Sequence, residues 1–95
     1  MAFRSVTVVT TPTQLASYNA RRKSLSVFNN STTTTIFLSN DRANVVANGF
    51  PLVAQAAVSL VDIEGDEPEL ELVGQVSAGS ADVRVQEGFP PEEGA

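Results

Sequence analysis

The sequence predicts an all-β fold: a small, antiparallel, jelly-roll-like β-sandwich of about six to eight short strands with extended termini. Three observations point to it. Short runs rich in Val, Ile, Thr and Phe recur at intervals of about 8–12 residues. Turn chemistry separates them at Asn29-Asn30-Ser31-Thr32, Asn48-Gly49, Glu64-Gly65-Asp66-Glu67-Pro68 and Ala78-Gly79-Ser80. Several runs alternate apolar and polar residues with the period of two that a half-buried strand requires.

In order along the chain, residues 3–11 are rich in β-branched types and read as a strand, with Val6 and Val8 on one face. Pro12 ends that strand or confines it to an edge. Residues 13–20 offer one helical turn or a linker docked by Leu15. Ser24 to Asn29 alternates, with Leu25 and Val27 inward. The Asn pair that follows turns the chain into a strand over 33–39, with Ile36 and Leu38 on its other face. Asn29 and Asn30 both open N-x-Ser/Thr sequences, but the N-terminus lacks the apolar run of a secretory signal, so neither is expected to carry a glycan. Residues 39–51 are irregular, with a brief pairing of Val45-Val46 inside them. In residues 56–63 the apolar phase shifts from Val58/Leu60 to Val61/Ile63, which predicts a bulge or two-sided burial. Residues 69–76 and 81–87 complete the strands, the last with Ala81, Val83 and Val85 inward. The expected organisation is an N-terminal strand or arm over 1–12, a sandwich over 13–88 and a flexible tail over 89–95.

The 95 residues make one domain, of a size whose net stability is about 5–10 kcal/mol. Cysteine, histidine and tryptophan are absent. Disulfide frameworks, histidine or cysteine metal sites, and nucleophiles driven by histidine therefore drop out. The net charge of −5 is unevenly spread. Residues 1–48 carry five cations and one carboxylate, residues 49–95 one cation and ten carboxylates. That division favours electrostatic contact with a partner or another copy. No apolar stretch approaches the ~18 residues of a membrane span.

The acidic cluster Asp62, Glu64, Asp66, Glu67, Glu69 has the oxygen ligands calcium takes, but not the spaced order of a calcium loop, and reads as an exposed hairpin end. Glu69 and Glu71 sit about 6–7 Å apart on one strand face, within range of a glycosidase pair, yet no sugar platform accompanies them. Arg21-Arg22-Lys23 lacks the interleaved aromatics of a nucleic-acid site and reads as a cationic strand entrance that meets an acidic neighbour. Phe89-Pro90-Pro91-Glu92-Glu93 is either a frayed terminus or an arm anchored by Phe89, whose prolines lower the entropy cost of docking. No catalytic constellation, metal-binding motif or cofactor motif is present in this pattern.

With the strands placed, the order of features resembles that of small tailed-phage virion proteins. Leu15 followed by Asn19-Ala20-Arg21-Arg22-Lys23-Ser24-Leu25-Ser26-Val27-Phe28-Asn29 is similar to their "L…N-x-x-R-x-S-L-x-V-x-N" opening. Thr35-Ile36-Phe37-Leu38-Ser39 is similar to the strand that comes next. Asn48-Gly49-Phe50-Pro51-Leu52 matches "N-G-x-P-L", and Gly79 to Glu87 matches "G-x-A-D-V-R-V-x-E". The likeness covers about residues 15–87. It departs at Val53-Ala54-Gln55-Ala56, where many relatives carry a Pro-Gly-Glu-type turn, and at the longer acidic turn over 64–68.

The resemblance implies a non-enzymatic capsid decoration (cement) protein, made in the bacterial cytoplasm and carried on the virion. Its expected partner is the major capsid protein, with a homo-oligomer (dimer or trimer), no cofactor, no nucleic acid and no membrane. Phe3, Arg4, Arg21, Arg22, Lys23, Phe89, Pro90 and Pro91 are the expected contacts, with 3–11 and 88–95 as arms. The alternative is a tail, neck or fibre component, or a host-carbohydrate-binding module using Tyr18, Phe50 or Phe89.

Overall fold

Two four-stranded antiparallel sheets, packed face to face, carry the chain. The computed structural model describes residues 2–61 and 66–89. Eight strands are present among them: β1 (Ala2–Val8), β2 (Thr13–Ala16), β3 (Ser24–Asn29), β4 (Ile36–Ser39), β5 (Phe50–Leu52), β6 (Ala57–Val61), β7 (Leu72–Gln75) and β8 (Ala81–Gly88). Sheet A runs β1-β8-β3-β6 and sheet B runs β2-β7-β4-β5. Four of the pairings, β1 with β8, β2 with β7, β3 with β6 and β4 with β5, nest inside one another. They describe a single long ribbon rolled up on itself, and the β3–β8 and β4–β7 pairings close the roll. This is the double Greek key of the jelly roll.

Period-two patterning explains which side chains meet between the sheets. Leu25 and Val27 of β3, Ile36 and Leu38 of β4, and Ala81, Val83 and Val85 of β8 are buried, while their alternating neighbours face outward. Val8, Leu15, Leu52, Leu72 and Val76 complete the same core, with Val6, Val58 and Leu60 packed against it. Pro51 lies in β5, an edge strand of sheet B, where a missing N–H costs least.

Several local expectations change. The segment expected as a helical turn or linker over 13–20 opens as β2, whose pairing to β7 shifts register between Gln14 and Ala16. That bulge lets adjacent Leu15 and Ala16 both enter the core. Gly74, which pairs with Thr13, leaves the room, since a Cβ there would stand 3.1 Å from the Leu15 side chain. The strand expected from residue 33 begins only at Ile36. The amides of Thr33 and Thr34 are taken by the Ser31 hydroxyl at 3.2 and 3.0 Å, which bends the chain before the ladder starts.

Val45-Val46 belongs to α1 (Val45–Asn48), a single helical turn rather than a strand pair. Asn44 enters it in the left-handed region at φ 57°, and Val45 buries its side chain. Gly49 closes it. A Cβ at that position would overlap the Val45 carbonyl oxygen and stand 2.9 Å from that of Leu38, both of them backbone. The N-terminal strand or arm is a full edge strand, paired to β8 from Ala2 to Val8. The phase shift expected at 61–63 and the acidic residues Asp62 and Glu64 fall at or beyond the limit of the described residues, as do Pro90, Pro91 and most of the expected tail.

Candidate interaction surface

Three segments distant in sequence meet at one end of sheet A. Ala2 of β1 pairs with Glu87 of β8, and Ser24 of β3 pairs with Gly88. The Lys23 amide donates to the Gly88 carbonyl at 2.8 Å. Phe3, Arg4, Arg21, Arg22, Lys23 and Phe89 are thereby gathered, although up to 86 positions separate them in the chain.

They do not all face outward. Arg22 is only 1 % exposed and is the largest fully buried side chain. Its Nε donates to the Pro68 carbonyl at 2.7 Å, Nη2 to the Leu70 carbonyl at 2.9 Å and Nη1 to Glu87 Oε1 at 2.7 Å. Arg4, half-exposed, donates Nη1 to the other oxygen, Glu87 Oε2, at 2.7 Å and Nη2 to the Leu15 carbonyl. Burial opposes ionisation of Glu87 and is the largest single influence on it. The hydrogen bonds and charges of Arg4 and Arg22 together outweigh it and hold the carboxyl below its usual range. Arg22 is therefore removed from the expected contact set. A cation with its donors committed inside the fold has nothing to offer a partner. Its work is to clamp the turn at 67–70 and β8 to the entrance of β3. Phe3, Arg21 and Lys23 are exposed, Phe3 at 72 %.

The outer face of sheet A carries a depression of about 600 Å³. Register defines its rows. Phe3, Gln86, Ser26 and Ser59 lie across the four strands in one, and Ser5, Arg84, Phe28 and Ala57 in the next. Small side chains form the floor, where the Ser26 and Ser59 hydroxyls bond each other at 3.0 Å. Arg84 donates Nε and Nη2 to Asp82 Oδ2 at 3.1 and 2.9 Å, and Asn30 donates to the same oxygen at 3.0 Å. The guanidinium and then the amide hold the Asp82 carboxyl below its ordinary range, and Asp82 in turn raises the Arg84 guanidinium.

A second depression, about 300 Å³, opens at the sandwich edge between Phe50 of β5 and Val58 and Leu60 of β6, reaching the core side chains Leu38 and Leu72. Glu71 accepts from Arg42 at 3.0 Å and Gln14 at 2.7 Å, and these bonds lower its pKa. No group of three acids is placed to hold a metal ion among the described residues. The aromatics expected to form a sugar platform are dispersed: Tyr18 follows β2 and Phe50 lies in β5, the two opposite edges of sheet B.

Only two polar side chains are fully buried among the described residues, Arg22 and Asn29. Asn29 donates to the Thr34 carbonyl at 2.7 Å and the Leu52 carbonyl at 2.9 Å, and accepts from the Ser31 amide at 3.1 Å. It ties the end of β3 to the approaches of β4 and the end of β5. No local cue separates Arg22 from Arg21 and Lys23, because its partners lie 46, 48 and 65 positions away in the chain. Comparison of the chain with protein-family profiles, with characterised proteins and with solved structures finds no match.

Proposed function

We propose that this protein is a non-enzymatic virion structural protein, a capsid decoration or cement protein that binds the outer capsid surface. The observation that carries this reading is the strand order β1-β8-β3-β6 over β2-β7-β4-β5. Viral capsid domains are prominent among the proteins built on that roll. A fold alone does not assign a function, and the motif series running from Leu15 to Glu87 adds the second support. In this reading the end of sheet A is the docking end, with Phe3, Arg21, Lys23 and the tail from Phe89 onward as contacts. The Arg22–Glu87–Arg4 cluster, buried at Arg22, ties β1, β3 and β8 together at that end, which lowers the ordering entropy that opposes docking there. Lectin domains also use this roll, but the carbohydrate-binding alternative lacks the motif series, and Tyr18 and Phe50 lie at opposite edges of sheet B.

The test is cosedimentation of the purified protein with particles assembled from a phage major capsid protein. Saturable binding is expected. Combined substitution Phe3→Ser, Arg21→Ser and Lys23→Ser should weaken it about tenfold or more, with unfolding midpoint unchanged. Absence of binding by the unaltered protein would overturn the reading.

A further inference from the structure

Four strands form the edges of the sandwich, β1 and β6 in sheet A and β2 and β5 in sheet B. An edge presents unpaired N–H and C=O groups, a template for another strand unless something blunts it. Three of the four are blunted. β5 is three residues long and contains Pro51, which has no N–H. β2 is four residues long and bulged, and its Leu15 carbonyl is taken by Arg4. On β6 the Val61 amide donates to Asp66 Oδ2 at 3.1 Å, and the Asp66 amide donates to the Val61 carbonyl at 3.4 Å, so Asp66 caps the strand. β1 has none of these devices. It runs seven residues without a proline, and its pairing to β8 is unbroken.

The ladder shows which groups of β1 are open. The Asn30 amide donates to the Asp82 carbonyl at 2.9 Å, and in the same register Phe28 meets Arg84 and Ser26 meets Gln86. Antiparallel strands bond through alternate residues, so Asp82, Arg84 and Gln86 turn their backbone polar groups to β3. Val83, Val85 and Glu87 turn theirs to β1, where they meet Val6, Arg4 and Ala2. The amides and carbonyls of Phe3, Ser5 and Thr7 therefore point away from the sheet, and none of them is bonded among the described residues.

The flank around this edge is also nearly free of charge. Residues 1–20, which supply β1 and β2, hold Arg4 alone, in a chain with six cations and eleven carboxylates. Phe3, Val9 and Tyr18, three of the five large apolar side chains exposed among the described residues, lie there too. We propose that β1 pairs antiparallel with β1 of a second copy of this chain, about a two-fold axis at Ser5, so that sheet A continues across the pair. Ser5 then meets Ser5 of the other copy and Phe3 meets its Thr7, each pair exchanging both of its free N–H···O bonds. The Arg4 side chain is held on the inner face by Glu87 and the Leu15 carbonyl, and it stands opposite Val6 of the other copy rather than a second cation. Copies that each carry a net charge of −5 repel through most of their surface, and the acid-free β1 flank is where they can meet. The chain's own tail is a poor occupant, because one of the consecutive residues Pro90 and Pro91 would face β1 in any register with no amide to give. The edge of β6 in another copy is closed by Asp66. A β1–β1 contact is isologous and complete at two copies. The inference does not rest on the virion reading.

The experiment is sedimentation velocity on the full chain from about 1 µM to 500 µM in about 0.1 M salt, with amide hydrogen exchange on the same samples. A reversible monomer–dimer equilibrium is expected, with protection of the Phe3, Ser5 and Thr7 amides that rises with the dimer fraction. Ser5→Pro removes an amide that its own copy does not use. By symmetry it deletes both bonds at the axis, so the dimer midpoint should rise about tenfold or more. Ser5→Glu and Ser5→Lys each set like charges opposite one another and should raise it about threefold or more. An equimolar mixture of these two variants should associate again, which also shows that both are folded. Ser5→Ala alters neither amide nor charge and should match the parent. A chain that stays monomeric throughout the range overturns the proposal. Association unchanged in Ser5→Pro or in the charged variants, or a mixture that fails to associate, also overturns it. Cosedimentation with capsid particles reports on the virion reading separately, so either can fail without the other.

Discussion

Replacing Arg22 with Met is the most direct probe of what holds this sandwich together. The substitution keeps the apolar stem and removes three hydrogen bonds, to the carbonyls of Pro68 and Leu70 and to Glu87. A buried carbonyl left without a donor costs about 1–3 kcal/mol. Breaking a buried ion pair by removing one partner costs about 3–5 kcal/mol. Glu87 keeps Arg4, so the low end of that range applies to the charge, and with two stranded carbonyls at the low end of theirs the sum comes to about 5 kcal/mol. That is a large share of the roughly 5–10 kcal/mol expected for a chain of this length. Chemical denaturation should show a lower midpoint at unchanged slope, and the melting temperature should fall by roughly 20–40 °C. Arg21→Ser and Lys23→Ser, on the same three-residue run, should each stay within about 0.5 kcal/mol of the parent. The loss measures the cost of stranding Glu87 and the carbonyls, not the net worth of the ion cluster, because burying those charges itself costs desolvation. An Arg22→Met protein within about 1 kcal/mol of the parent would refute the clamp. It would also return all three cations to the surface role that their sequence suggests.

The same cluster sets a pH dependence. Glu87 is held below its usual value of 4.5, so the unfolded chain binds more protons there than the folded one. Its contribution is complete above that value and is lost as pH falls through the lower folded-state pKa. Urea titrations at successive pH values should show stability declining below about pH 4.5, with a shallower decline in Glu87→Gln. An equal slope in that variant would assign the acid sensitivity to other carboxylates. Asn29→Asp is nearly isosteric but replaces the donor facing the Thr34 and Leu52 carbonyls with negative charge. It should cost about 3 kcal/mol or more at pH 7 and less, relative to the parent at the same pH, near pH 4, where a protonated carboxyl again donates. A penalty that does not depend on pH would exclude charge repulsion as its origin.

Much of the fold was legible from spacing alone. Alternation of Leu25 with Val27, of Ile36 with Leu38, and of Ala81 with Val83 and Val85 marks three core strands without reference to any partner, because the pleat forces side chains to opposite faces every residue. The turns at Asn29-Asn30 and Ala78-Gly79-Ser80 were equally local. β2 was not legible, since its bulge places consecutive Leu15 and Ala16 inward and erases the alternation. Nor was the late start of β4, which depends on one serine hydroxyl capturing two amides.

The interaction surface divides in the same way. Sequence by itself determined a small all-β sandwich, its principal core faces, the uneven charge and a proline-stiffened acidic tail, because each follows from periodicity or composition within a short window. Only the tertiary structure decided that Arg22 is interior while Arg21 and Lys23 are exterior. Its partners stand 46, 48 and 65 residues away, and adjacency in the chain carries no information about them. The roll alone likewise sets Phe3 beside Gln86 and Phe28 beside Arg84 on one face. Strand pairing across the sheet, a long-range choice of register, made a surface from residues that the sequence keeps apart.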